Sequence, residues 1–288
     1  MGRRGVAGLL DKRLVFVTGK GGVGKTAVAA ALGLLATQRG LRTIVAEVAL
    51  RDDVQRTVGG DVPTISVDPQ EAMEMYLSDQ LAAPLAEVLK QSRVFGYLAA
   101  ATPGMRELLT VGKLWELAQP ERRVAGAEPY DLVVVDAPAT GHGLALLDAP
   151  RTFAGVAAAG PIARQARIIH GTLTDRELTG IVAVATPEEM PVNEVELLRG
   201  ELGDRLDLVV ANAVRPDRFA AAEARRLAGA RDRPAARAAL SAHERARAQR
   251  AQLDRLRPDV ELPFAPEPGS GGVDVAALTA ALAGAAGR

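Results

Sequence analysis

A chain of 288 residues with 35 Lys+Arg against 35 Asp+Glu has no net field to draw it to nucleic acid or to an anionic membrane surface. Cysteine is absent, which removes disulfides, thiolate metal sites and cysteine nucleophiles together and fits a reducing cytoplasm. No run approaches the roughly 18 to 20 apolar residues of a membrane span, so a cytoplasmic protein with no direct membrane insertion is expected.

The N-terminal stretch MGRRGVAGLLDKR is read as too short in its apolar part for a signal peptide, and Val6 leaves a myristoylation signal incomplete. Then short β-branched runs recur: LVFVT (14–18), TIVAEV (43–48), TISV (64–67), DLVVVD (131–136), IVAVA (181–185), DLVVAN (207–212) and VELPF (260–264). Continuous apolar strands without alternation are what a parallel sheet covered on both faces produces. With helical segments between them they predict an α/β fold, a doubly wound and mostly parallel sheet flanked by helices.

Two stretches depart from this alternation. Residues 70–127 read as a helical insertion, with Met73, Leu77, Leu81, Leu85 and Leu89 at helical spacing, followed by Met105, Leu108, Leu109 and Trp115. Such an insertion is either a helical layer packing on itself or a surface for a protein client. The Ala/Arg-rich stretch 219–257 spreads its charges around the helix and reads as a solvated helical pair. No repeat and no long linker divides the chain, so a single domain over 1–288 is expected.

Gly19 to Thr26, GKGGVGKT, matches the phosphate-loop pattern G-x-x-x-x-G-K-[ST] between a strand and a helix. Glycines let successive N–H groups face one concavity, and the helix N-terminus adds partial positive charge. Gly19, Lys20, Gly21, Gly22, Val23, Gly24, Lys25, Thr26 and Ala27 are therefore candidates for holding ATP. Lys25 is expected at the β/γ-phosphates and the Thr26 hydroxyl on Mg²⁺. The lysines of this Arg-rich chain are Lys12, Lys20, Lys25, Lys90 and Lys113. Two of them sit in this one loop.

DLVVVD ends in Asp136, at the C-terminal end of a strand, where open α/β sheets bind ligands. Asp136 is thus the second candidate for holding Mg²⁺, through water. The following APATGHG segment suits a switch that moves when the γ-phosphate leaves. His142, between two glycines, is read as a conformational or hydrogen-bonding residue, with direct phosphate sensing as the alternative.

GKGGVGKT together with DAPATGHGLALL closely resembles the ArsA-type anion-transporting ATPases, whose relatives include the tail-anchored-protein targeting ATPases. The resemblance covers nearly the whole chain. It implies the deviant Walker A class of P-loop ATPase. It also gives Lys20 a role: crossing a dimer interface to neutralise charge at the partner's nucleotide, as an arginine finger does. With one P-loop per chain, the second half would come from another subunit, as a homodimer or a heterodimer with a related ATPase. Asn212 matches the family's adenine-side asparagine, and a strand-end turn residue is the plainer alternative.

The departures matter as well. Without cysteine, arsenite cannot bind through thiolates, and the zinc-clamping CxxC pair of the targeting ATPases is missing. Where relatives carry a switch carboxylate after the second strand, Ala49 aligns here; Glu47, Asp52 and Asp53 are near enough to stand in. Three functions follow as expectations: an ATP-hydrolysing dimeric switch coupled to a protein partner, a slowly hydrolysing regulatory subunit that pairs with an active homologue, and a ParA/MinD-like positioning ATPase. The C-terminal tail and the neutral charge speak against the last of these.

Overall fold

Leu14–Thr18 forms a strand (β1) whose every residue is buried. That is only achieved when a strand is central and covered on both faces. The structure, a computed structural model, describes residues 5–48, 52–72, 104–122, 126–156, 160–230, 233–267, 269 and 272–287. The other strands are β2 (Thr43–Glu47), β3 (Thr64–Ser66), β4 (Leu132–Asp136), β5 (Thr179–Ala185), β6 (Leu208–Val214) and β7 (Val260–Pro263). They form one sheet in the order β3-β2-β4-β1-β5-β6-β7, with every pairing parallel. The seven apolar runs of the sequence are the seven strands of this sheet.

Period-two alternation sorts the strand side chains between two cores. Leu14, Phe16, Ile44, Val133 and Val135 face one side. There they meet α4 (Met105–Leu117), α5 (Thr140–Val156), α6 (Pro161–Thr174), α7 (Glu189–Leu202) and the C-terminal end of α9 (Pro234–Leu256). Val15, Val17, Val45, Val134 and Val184 face the other. That side is covered by α1 (Val6–Leu10), α2 (Lys25–Gln38), α3 (Asp53–Val58) and α10 (Val275–Ala286). The result is a three-layer α/β/α sandwich.

Within the expected insertion at 70–127, α4 buries Leu108, Val111, Leu114 and Leu117 in the same cluster as Phe16 and Val133. This helix is thus part of the main core. Its partners are strands and the helices α5 and α6, with Trp115 Nε1 donating to the Thr172 hydroxyl at 3.0 Å. Met73, Leu77, Leu81, Leu85 and Leu89 lie outside the described residues.

The Ala/Arg-rich stretch divides into α8 (Ala221–Gly229), with no buried residue, and α9. One stripe of α9 is buried: Ala236, Leu240, His243, Ala246, Gln249, Leu253 and Leu256. Their spacing of three and four residues is the inner face of an amphipathic helix. The pair is solvated on one side only.

Lys12, one of the few lysines, is buried and structural. It pairs with Asp207 at 3.2 Å and donates to the Thr179 carbonyl at 3.2 Å, while Asp207 accepts the Ile181 N–H. Among the described residues no helix is long and apolar enough to cross a membrane.

Because α4 belongs to the sheet's core, Leu114→Ala should destabilise the whole domain by about 2 to 5 kcal/mol, as large-to-small core substitutions do. Urea unfolding should show one shifted cooperative transition. A loss under about 1 kcal/mol would mean that the helix packs as a separate layer.

Candidate functional site

The turn after β1 is shaped by a neighbour that leaves room only for hydrogen. Gly19 has φ +146°, and a Cβ there would stand 2.2 Å from the Val184 carbonyl oxygen of β5. Gly24, directly before α2, is left-handed at φ +88°; a Cβ on it would meet the Asn212 amide nitrogen at 2.3 Å. Both positions require glycine for space as well as for conformation. The turn they make brings the N-terminus of α2, with its partial positive charge, to the carboxyl end of the sheet beside β4.

Lys25 and Thr26 open α2. The Lys25 ammonium donates to the Lys20 carbonyl at 3.2 Å. Burial lowers its pKa, against the opposing pull of Asp136 and Glu194. The Thr26 hydroxyl donates to Asp136 Oδ2 at 2.7 Å. Lys20 is half-buried on the loop, and its side chain makes no hydrogen bond or ion pair to another described residue. Gly21 and Gly22 are exposed, and Val23 is buried beneath them.

Asp136 ends β4 in register with Val17 of β1 on one side and Glu47 of β2 on the other. It is 6% exposed, yet its Oδ1 has no hydrogen-bond partner among the described residues. The same holds for the hydroxyls of Thr18, at the end of β1, and Thr140, at the start of α5. Buried polar atoms are nearly always paired, so three orphans around one loop point to a ligand. Burial pushes the Asp136 carboxyl up to about 6; Thr26 and Lys25 oppose this, and the negative charges of Glu47 and Asp53 add to it. Such an upward push is relieved by a cation.

Glu47 is buried and accepts the Val54 N–H at 3.1 Å, tying the end of β2 to α3. Asp53 is paired with Arg56, and Asp52 is exposed. Ala49 lies outside the described residues. His142 is exposed at the start of α5, with its backbone N–H on the Ala139 carbonyl at 2.9 Å. Asn212 stands below the loop: its Nδ2 donates to the Val23 carbonyl at 2.9 Å. This contact supports the loop and is additional to the adenine-side role that the sequence suggests.

The residues present fit a metal-bound nucleotide. Backbone N–H groups and Lys25 suit phosphate oxygens, while Thr26 and the unpaired Asp136 oxygen suit a magnesium ion that keeps much of its water. No cluster of three or more His, Cys, Asp or Glu side chains able to hold a metal exists among the described residues. A magnesium ion here would therefore depend on the phosphate as much as on the protein. Sequence reasoning passed over Thr18 and Thr140, and it named Glu47 only as a stand-in for Ala49. Thr18 directly precedes the glycine loop and Thr140 lies within the DAPATGHG motif, which is the signal that could have found them.

A family profile described as Anion-transporting ATPase matches residues 12–160. This chain belongs to the ArsA-type anion-transporting ATPase family. Among its relatives, ATPase BagA of Mycobacterium tuberculosis is 29% identical over 201 residues, covering 63% of this chain and 58% of that one. An uncharacterised protein of Streptomyces coelicolor is 34% identical over 153 residues, covering 48% and 37%. ATPase ASNA1 homolog 2 of Paramecium tetraurelia is 29% identical over 148 residues, covering 47% and 43%. The chain thus spans less than two thirds of the length of each of these relatives. The family match takes in β1, the glycine loop, Asp136 and all of α5.

The raised pKa of Asp136 gives the ligand-free protein a definite pH dependence. The folded state holds the proton more tightly, with a pKa of about 6 against the ordinary 3.8, so this contribution is fully present below pH 3.8 and lost as pH rises through about 6. At most it amounts to about 3 kcal/mol, one pKa unit being about 1.4 kcal/mol. Asp136→Asn should remove the slope, so that its urea midpoint gains on the wild type between pH 4 and 7 without nucleotide or Mg²⁺. Parallel pH profiles for the two proteins would take the strained carboxylate out of the account.

Proposed function

We propose that this chain is a Mg²⁺-dependent ATPase switch that binds ATP on the glycine loop and works as a face-to-face dimer. The observation that carries the reading is the Thr26–Asp136 hydrogen bond, with the second Asp136 oxygen buried and unpaired at the mouth of the loop. Two hard oxygen donors held 2.7 Å apart beside a helix N-terminus make a seat for a phosphate-bound divalent cation. When bound, Mg²⁺ would neutralise charge on the transferring phosphoryl group.

The chain's own residues divide the remaining work. The loop N–H groups and Lys25 hold the phosphates from within the same subunit, and Thr26 and Asp136 orient the metal's ligands. Lys20, half-buried on the loop, is the lysine left to reach a second subunit, where its charge would act on the partner's nucleotide. The family's use of paired loops makes that subunit a copy of this chain or a related ATPase, and either is part of the proposal. So is the adenine-side contact of Asn212, and so is a protein client on the helical insertion. Asp136 leads into α5 through Ala137–Ala139, so the loss of a bound phosphate would be felt at the start of that helix.

Lys25→Ala should weaken ATP binding by about 100-fold or more, the loss expected when a charge-assisted phosphate contact and its neutralisation are removed together. Lys20→Ala should leave binding within a few-fold while lowering both turnover and ATP-dependent dimerisation. Equilibrium titration with sedimentation of the same samples reads both. Equal loss of affinity in the two variants would contradict the division between an internal and a crossing lysine.

A further inference from the structure

The loop is held from below by a structure that the sequence motifs do not include. β6 is irregular: its register with β7 shifts between Ala211 and Val214, and Ala213 inside the shift has φ +58°. An alanine in the left-handed region within a strand is strained backbone, and it persists only where surrounding contacts hold it. The contact here is Gln249 of α9, buried at 8% exposure. Its Nε2 donates to the Ala213 carbonyl at 3.2 Å, and its Oε1 accepts the Arg215 N–H at 2.8 Å. One side-chain amide thus holds the backbone on either side of Val214, at the C-terminal side of the bulge.

Asn212 sits within that bulge. Its Nδ2 donates to Val23 at 2.9 Å, and the amide lies so close to Gly24 that no Cβ would fit between them. The next residues, Lys25 and Thr26, are the ones expected to touch phosphate and metal. We propose that Gln249 is a positioning residue for the phosphate loop: by fixing the bulge it sets Asn212, and through Asn212 the height of Val23 and Gly24, so that nucleotide affinity depends on a helix outside the nucleotide motifs. This rests on the nucleotide reading of the loop given above.

The alternative role for Gln249 is simple satisfaction of two backbone groups in a core. The two roles differ in what they move. A core residue changes stability wherever it sits in α9, whereas a positioning residue changes affinity out of proportion to stability. Leu253, one turn further along α9 and buried at 5% exposure, supplies the comparison because it packs in the same core as Ala211 and Val214 but has no polar group with which to hold the bulge backbone.

The test is the dissociation constant for mant-ADP with Mg²⁺, measured beside the melting temperature of the nucleotide-free protein. Gln249→Met, of similar length but with neither hydrogen bond, should raise the constant about tenfold, within what the loss of two buried hydrogen bonds can produce. Leu253→Ala should lower the melting temperature at least as much, yet leave the constant within about twofold, because both amide hydrogen bonds to the bulge remain in place.

Gln249→Glu adds a pH readout. An ionised carboxylate repels the Ala213 carbonyl, whereas the protonated acid can donate to it as the amide does. The affinity deficit against wild type at the same pH should therefore shrink as pH falls from 8 to 5.5. If Gln249→Glu fails to fold, Gln249→Met against Leu253→Ala decides alone. Constants within twofold of wild type for the Gln249 variants, with Lys25→Ala still losing binding, would overturn the positioning role and leave the nucleotide site intact. So would an equal rise in Leu253→Ala. Normal binding by Lys25→Ala would instead overturn the nucleotide reading, and the positioning role with it.

Discussion

The hydrogen bond between Thr26 and Asp136 joins residues 110 positions apart in sequence, and the rest of the site is arranged around it. For it to form, β4 must lie directly beside β1 and both strands must end at the same level, which their parallel register provides. The chain must also leave β1 and enter α2 in a turn tight enough to bring the helix's second residue over Asp136. Gly19 makes that turn against the Val184 carbonyl, at a distance that excludes any other residue. The strand order and a single missing side chain therefore decide where a phosphate could sit.

The same arrangement is unfavourable for the empty protein. Asp136, Glu47 and Lys25 are brought together at the carboxyl end of the sheet, with Asp136 and Glu47 in direct register. Burial raises the Asp136 carboxyl and lowers the Lys25 ammonium, so the charged form of each is less favoured than it is in water. Such strain is common where a cation and a polyanion complete the charge balance, and it couples ligand binding to stability. Asn212 and Gln249 supply the rigidity that keeps the loop open against this. A site of this kind needs support from behind as much as reactive groups in front.

Much of this was legible in the sequence because the strands are unusually plain. Seven β-branched runs gave seven strands, and a glycine-rich turn between a strand and a helix left little freedom for what GKGGVGKT does. Lys25, Thr26 and Asp136 could be named from their places at strand and helix ends. Their mutual distance could not, since it depends on β4 inserting between β1 and β2. Gln249 was hidden for a different reason. In PAARAALSAHERARAQRAQ (234–252), alanine and arginine spread around the helix, and the stripe of Leu240, His243, Ala246, Gln249 and Leu253 emerges only once the helix is docked. The left-handed Ala213 left no mark at all, because alanine carries no preference for that conformation. The role of α4 was misjudged because apolar spacing shows that a helix has a buried face without showing what covers it.

The account stands or falls on whether the glycine loop and Asp136 form one metal-nucleotide site. The most direct measurement is isothermal titration of the wild-type protein with ATP, once with Mg²⁺ and once with EDTA. One nucleotide per chain is expected, bound about tenfold or more tightly with the metal, since Asp136 and Thr26 can contribute fully only through it. Absence of binding under both conditions, or an affinity indifferent to Mg²⁺, would contradict the account.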